Sequence, residues 1–359
     1  MRVWRSSSQF LFTKKLDVPD RKGGGSSAKL PCTLLGKIPR AKYPALTEAE
    51  ETMSLRLQTV CLAIFDAILV HMLNELSKDG KWLAMKRQIL EALLVKKDDK
   101  MIGVLTGPYA GSDVIFLQEV RTIAAKQALP LALREYSVHA PSKASKADQN
   151  SAICLKRSTF DAGSVVDVTA RAMELLPAEG TKPADGDLIV ITATDKRGKA
   201  YLLASFHGDT DGLATATTLH AVHALALTLP PSTSLIFGLD ANTYEKAKPG
   251  KQAAVSDFLA DVASKGLAAT SGKAHVHTTY NARTYLQPQL QKACKALEKK
   301  SKGDCNPKDF ILYSSGAFAV TDFGVDTTTK GTWSDSVIPS LEWPSDHGLV
   351  YSTILPADA

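Results

Sequence analysis

Residues 234–242 read SLIFGLDAN, and the rest of the chain can be read outward from this stretch. Ser234 to Leu239 are apolar or small with no polar alternation, and then the chain turns abruptly to Asp240, Ala241 and Asn242. A short apolar run of this kind, set off by Pro230 and Pro231, reads as a strand buried on both faces. It ends in an acid and an amide. The same grammar recurs elsewhere. DVIFLQEV (113–120) runs into Glu119, and YLLASFH (201–207) ends on His207. DFILYS (309–314) starts on Asp309, and PSDHG (344–348) sets Asp346 and His347 just before the apolar GLVYSTIL (348–355).

Further strands are expected at SAICLK (151–156) and DLIVITAT (187–194), and helices at LATATTLHAVHALALTL (213–229) and around 253–265. Residues 80–95 carry Trp82, Leu83, Met85, Ile89, Leu90, Leu93 and Leu94 at near-helical spacing, which predicts an amphipathic helix. ILVHML (68–73) reads as a strand ending at Asn74, while 53–76 reads equally as one amphipathic helix. The alternation of elements predicts an α/β fold. Polar residues at strand ends are where α/β proteins assemble sites, because loops converge there on a rigid sheet. The pattern alone does not fix which α/β fold this is.

Composition narrows the classes. With 44% hydrophobic and 22% charged residues, the chain can bury a core without covalent staples. Its five cysteines are scattered with no Cys-x-x-Cys pair, which argues against a disulfide framework or a structural zinc site and for a reducing compartment. The net charge of +6 suits a polyanionic partner but is mild. Residues 1–16 hold four basic residues, three serines and no acid, a composition that resembles an organelle transit peptide. Residues 17–48 contain four prolines and no sustained periodicity, so 1–48 reads as leader and linker and 50–359 as the folded domain. The longest apolar run, Val60 to Leu73, is interrupted by Asp66 and too short to span a bilayer, so no transmembrane segment is expected.

Taken in order, LQE (117–119), a strand ending in His207, D-x-N (240–242), Lys-Asp at a strand start (308–309) and SDH (345–347) resemble the endonuclease/exonuclease/phosphatase superfamily. The resemblance spans roughly residues 65–355. It implies a DNase I-like fold, a four-layer α/β sandwich of two packed mixed β-sheets, and a metal-dependent phosphodiesterase, with nuclease action the leading reading. A phosphodiester is anionic, so neutralising charge is the main task, and Mg²⁺ or Mn²⁺ suits oxygen ligands. The resemblance assigns the metal to Glu119, Asn74 and Asp346. Asp240 would activate the attacking water. Asn242 would point the same way if the backbone stays extended. His207 and His347 would stabilise the non-bridging oxygens, with Asp309 orienting His347.

Substrate contacts are expected from Arg283, in NARTYLQPQLQKA (281–293), and from Asn150. A run of lysines (292, 295, 299, 300 and 302) favours a polymeric anion, hence nucleic acid. An inositol phosphate, a phospholipid or another small phosphoester is the alternative. A third reading is a binding protein that keeps the fold without activity.

Overall fold

The computed structural model describes residues 13–19, 26–30, 36–145, 148–280, 304–334 and 338–357. It divides into two compact units, Met1–Gln88 and Ile89–Ala359. The expected boundary at residues 48–50 is therefore not where the units part.

In the first unit, β1 (Leu16–Pro19) and β2 (Ser26–Lys29) pair antiparallel, where the composition had predicted only linker. Next comes α1 (Glu48–Leu76). It opens with a capping box: Thr47 Oγ1 accepts from the Glu50 amide, and the Glu50 carboxylate accepts from the Thr47 amide. No proline or glycine interrupts it for 29 residues. This decides the ambiguity at 68–73 against a strand: local helix propensity wins where no breaker intervenes. The helix extends beyond the apolar run Val60–Leu73 at both ends. By length and composition it could cross a membrane, and little of its apolar window is buried. The helix α2 (Lys81–Leu90) continues into a π-helical turn, Glu91–Val95.

The second unit runs α3 (Lys97–Thr106), β3 (Val114–Val120), α4 (Leu129–Ala132), β4 (Tyr136–His139), β5 (Asn150–Lys156), β6 (Val166–Asp167) and α5 (Thr169–Glu174). It goes on through β7 (Leu188–Thr194), β8 (Ala200–His207), α6 (Leu213–Leu227), β9 (Ser234–Asp240), α7 (Val255–Ser264) and β10 (Leu267–Ala269). It closes with β11 (Asp309–Ser314), β12 (Phe318–Asp326) and β13 (Leu349–Pro356). One sheet has the order β10-β11-β9-β8-β7-β6, with β8 and β9 parallel and the other pairs antiparallel. A second has the order β3-β5-β4, and β12 pairs with β13.

Alternation along β9 explains the layering, since successive side chains leave a strand on opposite faces. Leu235, Phe237 and Leu239 pack with Leu219, Val222 and Leu225 of α6 and with Phe258 and Val262 of α7. Ile236 faces the other way, joining Leu203 of β8 and Ile153 and Leu155 of β5. The far side of the three-stranded sheet is covered by Leu105 of α3 and Leu129 of α4. Helices, sheet, sheet and helices make the four-layer α/β sandwich that was expected. Where the sheets face each other Gly238 is required: a Cβ there would stand 2.3 Å from Phe116 Cγ.

Candidate active site

Register gathers the chemistry into a row. His207, last in β8, is the partner of Asp240, last in β9, and Asp240 is in turn the partner of Asp309, first in β11. Register partners on neighbouring strands point to the same face. Here it is the face of Ile236 and Leu203, so the three side chains sit at one end of the space between the sheets. Glu119 approaches from β3, where a register shift between Leu117 and Val120 breaks the pairing with β5. Its φ of 57° is a left-handed conformation that costs a non-glycine residue about 1 kcal/mol or more. Gln149 Nε2 donates to its Oε1 at 2.9 Å. His207 Nε2 stands 3.7 Å from both Glu119 Oε1 and Asp240 Oδ2.

His347 closes the row from the loop before β13. Trp343 Nε1 donates to its carbonyl at 2.8 Å, and the Gly348 amide donates to Thr278 O at 2.6 Å. Its Nδ1 donates to Asp309 Oδ2 at 2.8 Å and lies 4.0 Å from Asp240 Oδ2. Thr278 Oγ1 donates to the same Asp309 carboxylate and accepts from the Lys308 and Asp309 amides. Burial pulls the His347 imidazolium down, but the charges of Asp309 and Asp240, the Asp309 hydrogen bond and Asp346 together hold it well above the ordinary range. Burial pushes Asp240 up to about 6, against the pull of His347 and with the push of Asp309. The ring is thus kept protonated while the carboxyl titrates within reach of neutral pH.

Asn242 departs from expectation. Its φ is 48°, so the backbone is not extended after Asp240, and its amide turns inward. The Asn242 N–H donates to Asp240 Oδ1 at 2.9 Å. Nδ2 donates to Gly208 O at 2.9 Å and reaches Asp240 Oδ2 at 3.4 Å, while Oδ1 accepts from Lys308 Nζ at 2.9 Å. Asn242 therefore braces Asp240.

Two further expectations are corrected. Asn74 lies on the exposed surface of α1 in the first unit, where its Oδ1 accepts from Trp82 Nε1 at 2.8 Å; it ends no strand. Asn150 is buried, and its amide serves the neighbouring loops: Nδ2 donates to Val120 O and Thr122 Oγ1, and Oδ1 accepts from the Ser145 amide. Arg283 and the lysines at 292, 295, 299, 300 and 302 lie outside the described residues. Asp346 is half-buried beside His347.

Thr278, Gln149 and Trp343 were not singled out from the sequence. Lys308 entered the motif order only as the neighbour of Asp309 in the Lys-Asp pair, without a role of its own, although it falls on the alternation of Phe310 and Leu312, where an apolar residue belongs.

The donor atoms fit a hard divalent ion at Glu119 better than at the inner cluster. Asp240, Asp309 and His347 each place a ligating atom within 4.8 Å of the others. Yet a protonated imidazole offers no lone pair and repels a cation. The Glu119 side chain, 41% exposed, is an accessible carboxylate at the mouth of the row. One or two carboxylates suffice for Mg²⁺, which keeps most of its waters.

The family described as a domain of unknown function, DUF8234, matches residues 1–87, the first compact unit less its last residue. No curated protein matches the chain. Among solved structures, the chain is similar to D. rerio TDP2 complexed with single strand DNA product, at 16% identity and a TM-score of 0.46, covering 73% of this chain and 92% of that one. It is also similar to an endonuclease/exonuclease/phosphatase from Bacteroides vulgatus, at 12% identity and a TM-score of 0.48, covering 72% and 90%. A third is ANGEL2, a 2',3'-cyclic phosphatase, at 14% identity and a TM-score of 0.49, covering 72% and 86%. Ile89–Ala359 itself is a four-layer α/β sandwich.

Proposed function

We propose that Ile89–Ala359 is a divalent-metal-dependent phosphoester hydrolase, with a nucleic acid phosphodiester as its substrate. One observation carries this reading: Asp240 stands in a register row between His207 and Asp309, with His347 hydrogen-bonded to Asp309 and Glu119 facing the row. A Mg²⁺ or Mn²⁺ ion at Glu119 would neutralise phosphate charge and acidify a bound water.

The chain's own groups supply the rest. Asp240, ionised above about 6, accepts the proton of the attacking water. Its orientation is fixed by the Asn242 amide. His347, kept as an imidazolium by Asp309, donates a hydrogen bond to a non-bridging oxygen as negative charge accumulates there. His207 offers Nε2 to the same region. The overall basic charge suits a polyanion.

The test uses the full chain and its Asp240→Ala variant on single- and double-stranded DNA, RNA, an inositol polyphosphate and sphingomyelin, each with Mg²⁺ and with EDTA. Cleavage of a nucleic acid that requires both the metal and Asp240 is expected. Cleavage confined to inositol polyphosphate or sphingomyelin would move the substrate class. A folded, metal-loaded protein that cleaves nothing in the panel would refute the nucleic acid reading and leave the fold serving binding.

A further inference from the structure

Position 308 breaks the binary pattern of the sheet. Phe310 and Leu312 follow it at alternate positions and both enter the core beneath the helices, so packing alone calls for an apolar residue there. The chain has Lys308 instead, 5% exposed. A buried ammonium is costly unless it is paired and hydrogen-bonded. Lys308 is both. Its Nζ lies 2.6 Å from Asp304 Oδ2, 2.9 Å from Asn242 Oδ1 and 5.0 Å from the centre of the Tyr244 ring. Asp304 neutralises the charge and Tyr244 presents its π face to it. Of the three contacts, only the one to Asn242 reaches the row of catalytic groups.

We propose that Lys308 is a positioning residue for this site: its ammonium fixes the Asn242 side-chain amide, whose Nδ2 reaches Asp240 Oδ2 at 3.4 Å beside the backbone N–H that donates to Oδ1 at 2.9 Å. The catalytic part of this proposal rests on the phosphoester-hydrolase reading; the positioning part does not. Every polar atom of the Asn242 side chain is engaged, with Oδ1 on Lys308 and Nδ2 on Gly208 O and Asp240 Oδ2. Without the ammonium, Oδ1 is left a buried acceptor on a residue already held at positive φ. Rotating the amide does not relieve Oδ1, because it turns it toward Gly208 O and the Asp240 carboxylate, two acceptors that repel it. Both outcomes loosen the brace beside Asp240. Lys308 itself lies behind Asn242, so it acts through the amide and does not touch the substrate. Substrate affinity should therefore change little while turnover falls.

The experiment follows the Asn242 side-chain amide by NMR in the full chain, identified by its loss in Asn242→Asp, and compares wild type with Lys308→Met, Lys308→Gln and Lys308→Arg. In wild type the pair should give one sharp, slowly exchanging set. In Lys308→Met it should shift and exchange at least about tenfold faster, while the backbone amides of β9 and β11 keep their positions. Lys308→Arg and Lys308→Gln, which keep a donor, should restore part of the protection. Should Lys308→Met fail to fold, the Gln and Arg variants carry the comparison, through the grading of protection with donor strength.

On whichever phosphoester the wild type cleaves, kcat should fall about tenfold or more in Lys308→Met, with KM within about twofold. An Asn242 amide unmoved in the folded Lys308 variants overturns the proposal. So does an amide that moves while kcat stays within twofold. If wild type cleaves nothing, the functional reading fails, and the amide signal still decides whether Lys308 positions Asn242.

Discussion

Gly238→Ala tests whether the facing sheets set the position of the row His207, Asp240 and Asp309. The added Cβ would lie 2.3 Å from Phe116 Cγ and 2.5 Å from its Cβ and Cδ2, where ordinary contact begins near 3.4 Å. The gap must open by about 1 Å, or Phe116 must leave its place. Phe116 packs against the cluster holding Ile153, Leu203 and Ile236, so neither adjustment is free. Overpacking of this kind costs about 1–3 kcal/mol. For a unit of this size that corresponds to a Tm lower by about 2–6 °C. Gly238 is two residues from Asp240 on the same face, so the displacement carries into the row. A misplacement of about 1 Å costs up to roughly 10²-fold in rate. The assay is calorimetry plus turnover on Gly238→Ala, Phe116→Ala and the double variant. Residues in contact couple by about 0.5–3 kcal/mol, so the double variant should be more stable than the sum of the single effects implies. A Tm within 1 °C of wild type for Gly238→Ala, or additivity within about 0.5 kcal/mol, would refute the account of the sheet contact.

Three other outcomes follow from the site. Asp309→Asn removes the largest charge holding His347 protonated, so the alkaline limb of the pH–rate profile should move to lower pH, and the His347 ring signals should titrate lower in step; an unmoved limb sinks the couple. Because Asp240 titrates at about 6, the acid limb should lie near that pH; the folded state binds its proton more tightly than the unfolded state's carboxyl of about 3.9, so this group's contribution to stability should decline as pH rises from about 4 to 6, the reverse of an ordinary salt-bridged aspartate. Glu119→Gln should weaken Mg²⁺ binding by calorimetry and lower turnover by about 10²-fold or more, since a carboxylate is replaced by a neutral amide where positive charge must be held; unchanged Mg²⁺ affinity would move the ion elsewhere.

How far the sequence could be read depends on where the information sits. Runs such as SLIFGLD and DFILYS announced their strands to the residue, because a strand buried on both faces needs an uninterrupted apolar run. Tyr136–His139, Leu267–Ala269 and Phe318–Asp326 went unseen: they are short, or mix polar with apolar residues, and form through partners distant in sequence. The boundary after residue 88 was hidden because it falls inside α2 (Lys81–Leu90), where one helical pattern runs across it unbroken. Asn150 resembled a phosphate contact on paper. Its three hydrogen bonds to Val120, Thr122 and Ser145 depend on loops whose meeting no local pattern records.

The conspicuous feature of the motif order is that two site residues end strands while a third begins one. The sheet explains it. β8 and β9 run parallel, so their C-terminal residues His207 and Asp240 arrive at the same edge. β11 runs antiparallel to β9, so only its first residue, Asp309, can reach that edge. β13 likewise runs away from the site, which places His347 before the strand rather than after it. The direction of each strand thus dictates on which side of its apolar run the polar residue must fall. A shift of one residue in any of these strands would turn its polar group to the opposite face, toward the helices. Spacing between strand and polar residue is therefore as much part of the site as the residue types, and Asn74, inside the last turn of the helix Glu48–Leu76, has no strand to end.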